Sequence, residues 1–187
     1  MEGRASKRAA VFAALAQGMD LSGVRERFRL TSGELRELFQ EAADLYQDRE
    51  EGYWRLYCDG ASRGNPGPAG AGVVLIDPQG RERVRQGRYL GRTTNNVAEY
   101  QALLLGLEEA HRLQITRLKV FADSELLVKQ LTGHYRVKSP HLLPLWNESR
   151  QALQRFEAYA IAHIPREENR EADAAANQAI DQRPPAL

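Results

Sequence analysis

Two textures of hydrophobic and polar positions divide the chain near residue 50. Over residues 1–46 apolar side chains recur at helical spacing, as in Val11, Phe12 and Leu15, and again in Leu35, Leu38, Phe39, Ala42 and Leu45. Gly18 and Gly33 punctuate the stretch, and Asp20 with Thr31 or Ser32 are suitable N-caps. The pattern predicts three short helices, over roughly 6–17, 20–28 and 32–48. The charged run from Gln47 to Gly52 then reads as a linker, and the last residues, 182–187, as a flexible tail.

From Tyr53 to residue 181 the periodicity changes. YWRLYC alternates as a strand does, GAGVVLID and ERVRQGRYL predict two more, and Asp77-Pro78-Gln79-Gly80 supplies the turn between them. A helix over about 95–112 follows, with Val97, Tyr100, Leu103, Leu104, Leu107 and Ala110 along one side. Leu118–Ala122 predicts a buried strand and the next segment a helix through Leu131. A further helix is expected over His141–Phe156, a fifth strand over Ala158–Ile164, and a last helix over Glu167–Ile180. Three strands, helix, strand, helices, strand, helix combine a meander with parallel crossovers. The predicted class is α/β: a five-stranded mixed sheet flanked by helices, behind a small all-α domain.

Composition narrows this only a little. With 26 Lys and Arg against 25 Asp and Glu in 187 residues, bulk charge argues neither for nor against a nucleic-acid partner. The one cysteine, Cys58, excludes an internal disulfide and fits a reducing compartment. No apolar run approaches the roughly 20 residues a membrane helix needs. Lys7 and Arg8 ahead of AAVFAALA imitate a signal peptide, but that run is short and reads better as one helix face. A cytoplasmic protein with no membrane partner is expected.

The acidic residues carry the candidate chemistry. Asp59 is expected just past the end of the first strand and Asp123 just past the fourth, the edge where open α/β sheets bind ligands. If the two strands are neighbours, the carboxylates meet and repel, and divalent cations resolve the repulsion. Two oxygen-ligated ions roughly 4 Å apart suit phosphodiester cleavage. The plainer reading makes both aspartates turn residues or caps. Glu99 lies one turn into a largely apolar helix and Asp173 sits among alanines on the last helix, so each points at a rim or a site.

Four strings in order then bear on the choice: YCDGASRGNPGPAGAG, TTNNVAEYQALLLGL, VFADSELLVKQL and HIPREENREADAAAN. Together, over 53–181, they closely resemble the signature segments of type 1 ribonuclease H. The resemblance implies that family's fold and endonucleolytic hydrolysis of the RNA strand of RNA–DNA hybrids, with Mg2+ or Mn2+, leaving 3′-hydroxyl and 5′-phosphate ends. By motif, Asp59, Glu99, Asp123 and Asp173 correspond to the metal-binding carboxylates, with Asp59 bridging two ions. His163 matches the family's mobile histidine, here without a glycine-rich loop; a histidine packed at a strand end is the alternative. Asn65, Asn95 and Asn96 correspond to positions that hydrogen-bond RNA 2′-hydroxyls, which an amide can both donate to and accept from. Arg92 and Thr94 resemble the pocket that grips a DNA phosphate. TTNN also suits a helix cap, and the two roles are compatible.

Between Leu131 and His141 the chain departs from relatives that carry a basic protrusion: only Arg136 and Lys138 remain, beside His134 and Tyr135. Weaker grip on the hybrid from that side is expected. Trp146 reads as a packing tryptophan rather than a stacking one. The first fifty residues resemble a helix-turn-helix module, yet residues 1–52 hold 8 basic and 10 acidic residues. Glu34, Glu37, Glu41 and Asp44 on the presumed recognition helix face phosphates badly. Contact with nucleic acid or with a protein both stay open for this unit. A non-catalytic hybrid-binding protein and another nuclease of the same fold are the competing readings. The first is marked by loss of a carboxylate, and all four are present.

Overall fold

In the computed structural model, residues 2–182 are described and the chain divides into two compact units, Met1–Glu51 and Gly52–Leu187. The expected tail lies outside the described residues from position 183 on. The first unit holds α1 (Glu2–Ala16), α2 (Leu21–Phe28) and α3 (Ser32–Glu51) around Val11, Ala14, Val24, Leu30 and Leu35. Asp20 caps α2 by accepting from Gly23 N–H at 2.8 Å. Thr31 and Glu34 form a reciprocal capping box: Thr31 Oγ1 accepts from Glu34 N–H, and Glu34 Oε2 accepts from Thr31 N–H.

The segment expected as a linker, Gln47–Gly52, is helical through Glu51. Charged residues are good helix formers, and Gln47 Nε2 donates to Glu51 Oε1 one turn on, so a polar run with no proline gives the helix no reason to stop. It ends where Gly52 takes φ +73°.

The second unit is built on β1 (Trp54–Ser62), β2 (Gly67–Ile76), β3 (Glu82–Thr93), β4 (Arg117–Ala122) and β5 (Ala158–His163), in the order β3-β2-β1-β4-β5. The first three strands form the antiparallel meander; β1–β4 and β4–β5 are parallel. Its helices are α4 (Asn95–Arg112), α5 (Glu125–Leu131), α6 (Leu143–Leu153) and α7 (Arg170–Asp181). The helix expected from His141 starts at Leu143, after a turn and with Pro144 in its first turn. The one expected from Glu167 starts at Arg170, because Arg166–Glu168 form a single 3₁₀ turn.

Glycines set how closely the two main helices approach the sheet. A Cβ on Gly60 would lie 2.1 Å from Glu99 N on α4, and one on Gly72 would lie 2.1 Å from Ala172 O on α7. Gly72 pairs with Asp59 and Gly60 with Ala71, so the two glycines face opposite sides of the sheet. Helices α4 and α7 therefore cover opposite faces and bring their first turns to the same end. Leu56, Cys58, Val73, Leu103, Leu118 and Val120 are among the fully buried side chains of this core.

Candidate active site

Pairing of β1 with β4 ends at Tyr57 opposite Phe121, whereas pairing of β1 with β2 continues to Ser62. Asp59 is thus within β1, not past its end as expected, because the small residues Gly60, Ala61 and Ser62 still pair with β2. On the β4 side it has passed the last parallel pair, and there it meets Asp123, the first residue after β4. Glu99 enters from α4. Ligand oxygens of Asp59, Glu99 and Asp123 all lie within 4.8 Å of one another.

The surroundings make two of these carboxylates, Asp59 and Glu99, reluctant anions. Asp59 is 5% and Glu99 6% exposed. Burial pushes the Glu99 carboxyl up from 4.5 to about 9, with the negative charges of Asp59 and Asp123 adding to the rise. Gly60 N–H at 3.2 Å and Asn95 Nδ2 at 3.4 Å hold its two oxygens and oppose the shift. Asp59 is also raised, first by burial, then by the charge and hydrogen bond of Asp123 and the charge of Asp173, against the partial relief of Arg166. A set of three oxygen donors whose mutual repulsion only protons or a cation can relieve fits a hard divalent metal.

Asp173, on the first turn of α7, stands outside this group of three. Its Oδ1 accepts from Arg166 at 2.9 Å, and it is close enough to raise the Asp59 carboxyl. His163 is exposed at the end of β5, with Nε2 3.3 Å from the Asp123 carbonyl oxygen.

The predicted substrate residues sit beside this cluster. Asn65 Oδ1 accepts from Asn95 N–H at 3.1 Å, which ties the β1–β2 loop to the start of α4. Thr94 caps that helix through Val97 N–H. A pocket of about 680 Å³ is lined by Asn65, Arg92, Thr94 and Asn96, together with Ser139 and His141 from the loop before α6. Asn95 does not line it. Trp146 is half-buried, donating Nε1–H to Gln130 O at 3.1 Å under the Arg150 guanidinium, which is a packing role.

Sequence reasoning missed three contributors. Ser139 and His141 reach the pocket only because α5 and α6 fold back along α4. Asn169 stands before α7 where an ordinary N-cap would, yet its side chain makes no cap bond. Its Nδ2 instead donates to Cys58 O at 2.9 Å and Asp123 Oδ1 at 2.8 Å.

Comparison with known proteins agrees with this geometry. The profile of a family described as "Reverse transcriptase-like" matches residues 57–179. Ribonuclease HI of Halobacterium salinarum is 44% identical over 137 residues, spanning 73% of this chain and 69% of that protein. The chain belongs to the type 1 ribonuclease H family. Among solved structures, the ribonuclease H1 of H. salinarum matches with a TM-score of 0.69 and 42% identity over 71% of this chain and all of the other. LC11 ribonuclease H1, solved in complex with an RNA/DNA hybrid, matches at TM-score 0.66 and 41% identity, over 69% of this chain and 97% of the other. These matches each cover 69–73% of the chain, in keeping with a ribonuclease H unit that follows an additional helical one. Among the described residues no helix is long and apolar enough to cross a membrane.

Proposed function

We propose that this ribonuclease H is an endonuclease that hydrolyses the RNA strand of RNA–DNA hybrids, leaving 3′-hydroxyl and 5′-phosphate ends. The observation that carries the reading is the convergence of Asp59, Glu99 and Asp123 at one sheet edge, beside a pocket of amides and an arginine. Asp59, Glu99, Asp123 and Asp173 would hold two Mg2+ or Mn2+ ions at this site. When bound, such ions supply Lewis acidity and charge neutralisation for attack of water on a phosphodiester. The protein's part is to gather and orient the carboxylates, against the burial and like charges that raise the Asp59 and Glu99 carboxyls.

Asn65, Asn95 and Asn96 recognise the RNA strand. Amides that both donate and accept are suited to 2′-hydroxyls, the group that separates RNA from DNA. Arg92 and Thr94 grip a phosphate of the DNA strand, and the guanidinium and hydroxyl they bring to the pocket wall support that role. His163 assists product release or proton transfer; its exposure and its place beside the Asp123 carbonyl support that role. The amino-terminal unit contacts nucleic acid or a protein, and its exposed Glu37 and Asp44 favour the protein. The cytoplasm is the assigned compartment, in line with a single, buried cysteine.

The test is cleavage of labelled hybrid, double-stranded RNA and double-stranded DNA with Mg2+, alongside Asp123→Asn. Hybrid alone should be cut, and Asp123→Asn should lower the rate by about 100-fold or more, since metal-assisted charge stabilisation is worth several kcal/mol and 1.36 kcal/mol is a factor of ten. Equal cutting of all three duplexes would point to another nuclease on this fold. Binding without cutting would leave a hybrid-binding protein.

A further inference from the structure

Asn169 is 1% exposed and begins the helix that carries Asp173. A solvent-facing N-cap asparagine turns its carbonyl oxygen back to the helix N–H groups. This one is turned inward. Both amide hydrogens are spent on oxygens of other elements, the β1 carbonyl of Cys58, next to Asp59, and the Asp123 carboxylate after β4. The opposite amide orientation would set its oxygen against two acceptors, so electrostatics fixes the assignment. The Asn169 backbone carbonyl also accepts from Asp173 N–H at 3.0 Å. One residue therefore touches the segments that carry Asp59, Asp123 and Asp173.

The arrangement costs the fold something. Asn169 Oδ1 is sealed from solvent without a protein partner, and a stranded acceptor offsets much of what the two N–H bonds contribute. A residue serving stability alone would sit better as an ordinary cap. What the inward amide does achieve is a direct hydrogen bond to the Asp123 carboxylate from a residue also anchored on the β1 carbonyl beside Asp59.

We propose that Asn169 is a positioning residue for the cation site, locking Asp123 and registering the first turn of α7 against the end of β1. The inference rests on the reading of the carboxylates as metal ligands. Removal of an outer partner of a metal ligand typically weakens metal affinity or activity 10- to 100-fold. In the full chain, Asn169→Ala and Asn169→Asp should each raise the half-saturating Mg2+ concentration for hybrid cleavage by about 10-fold or more. Weaker Mn2+ binding by calorimetry should accompany this, with KM for hybrid within about twofold at saturating metal. Asn169→Asp keeps the size of the side chain and replaces the donor by an acceptor, so it decides the matter if the alanine variant fails to fold. Variants that melt lower in EDTA yet bind Mn2+ as the unmodified protein does would overturn the proposal and leave Asn169 a structural residue. Failure of the unmodified protein to bind Mn2+ would overturn the metal reading itself, a result distinguishable from the first.

Discussion

Glu99 and Asp59 hold their protons well above the usual carboxylate range because burial and like charges surround them. The consequence for stability has a definite sign. A carboxyl whose pKa is higher folded than unfolded binds more protons in the native state between the two values, so stability falls as pH rises through that window. For Glu99 the window runs from its ordinary 4.5 to about 9. The metal-free protein is therefore expected to melt at progressively lower temperature from pH 5 to pH 8.5, followed by circular dichroism in EDTA. Glu99→Gln should flatten that slope and raise the melting temperature at pH 8 while abolishing cleavage. Added Mn2+ should stabilise more at pH 8 than at pH 5, since fewer protons then compete for the ligands. A melting temperature that rises with pH in EDTA would contradict the electrostatic account. His163 and the asparagines were legible in the sequence as positions, whereas Asn169 was not. The helix expected over Glu167–Ile180 contains it as one more polar residue, and only the meeting of α7 with β1 and β4 turns the amide inward.

At the scale of elements, closeness of helix to sheet is what delivers the carboxylates. Gly72→Ala would place a methyl 2.1 Å from Ala172 O, against backbone that cannot step aside. The substitution should destabilise by about 1–3 kcal/mol or more in urea denaturation and weaken divalent-metal binding, because α7 carries Asp173. Gly33→Ala makes the opposite case. It lies in α3 with nothing closer than 3.9 Å, and should stabilise the first unit by about 0.5–1 kcal/mol. A Gly72→Ala change as harmless as Gly33→Ala would show that the close approach of α7 to β2 does not govern the response at Gly72. Element types followed from periodicity, and the misplaced boundaries have separate physical causes. Helix α3 overran the expected linker because charge does not stop a helix, and β1 extended past Asp59 because a neighbouring strand was there to pair with it.

For the whole molecule the open matter is what the first unit adds to the second, since each has its own apolar core. The loop from Gly133 to the start of α6 holds only Arg136 and Lys138 as Lys or Arg residues, so the weaker grip on hybrid expected from the resemblance applies there. If α1–α3 replace that grip, removing residues 1–51 should weaken hybrid binding and make log Kd less steep against log salt, by roughly 0.9 for each lost phosphate contact. An unchanged slope, measured by fluorescence anisotropy between 50 and 200 mM salt, would assign the unit to a protein partner instead.

The sequence by itself determined the two-part organisation, the order of strands and helices and the family, and it nominated four carboxylates as candidates. Local periodicity encodes elements, and short motifs encode the residue types that chemistry requires at fixed spacing. Tertiary structure alone decided which of those residues meet. Three carboxylates come together because β1 and β4 are parallel neighbours and α4 presses on Gly60, while Asp173 stays apart on Arg166. It also decided the raised pKa values, the contribution of Ser139 and His141 to the pocket, and the inward amide of Asn169. All of these depend on burial and on contacts between segments distant along the chain, about which local pattern carries no information.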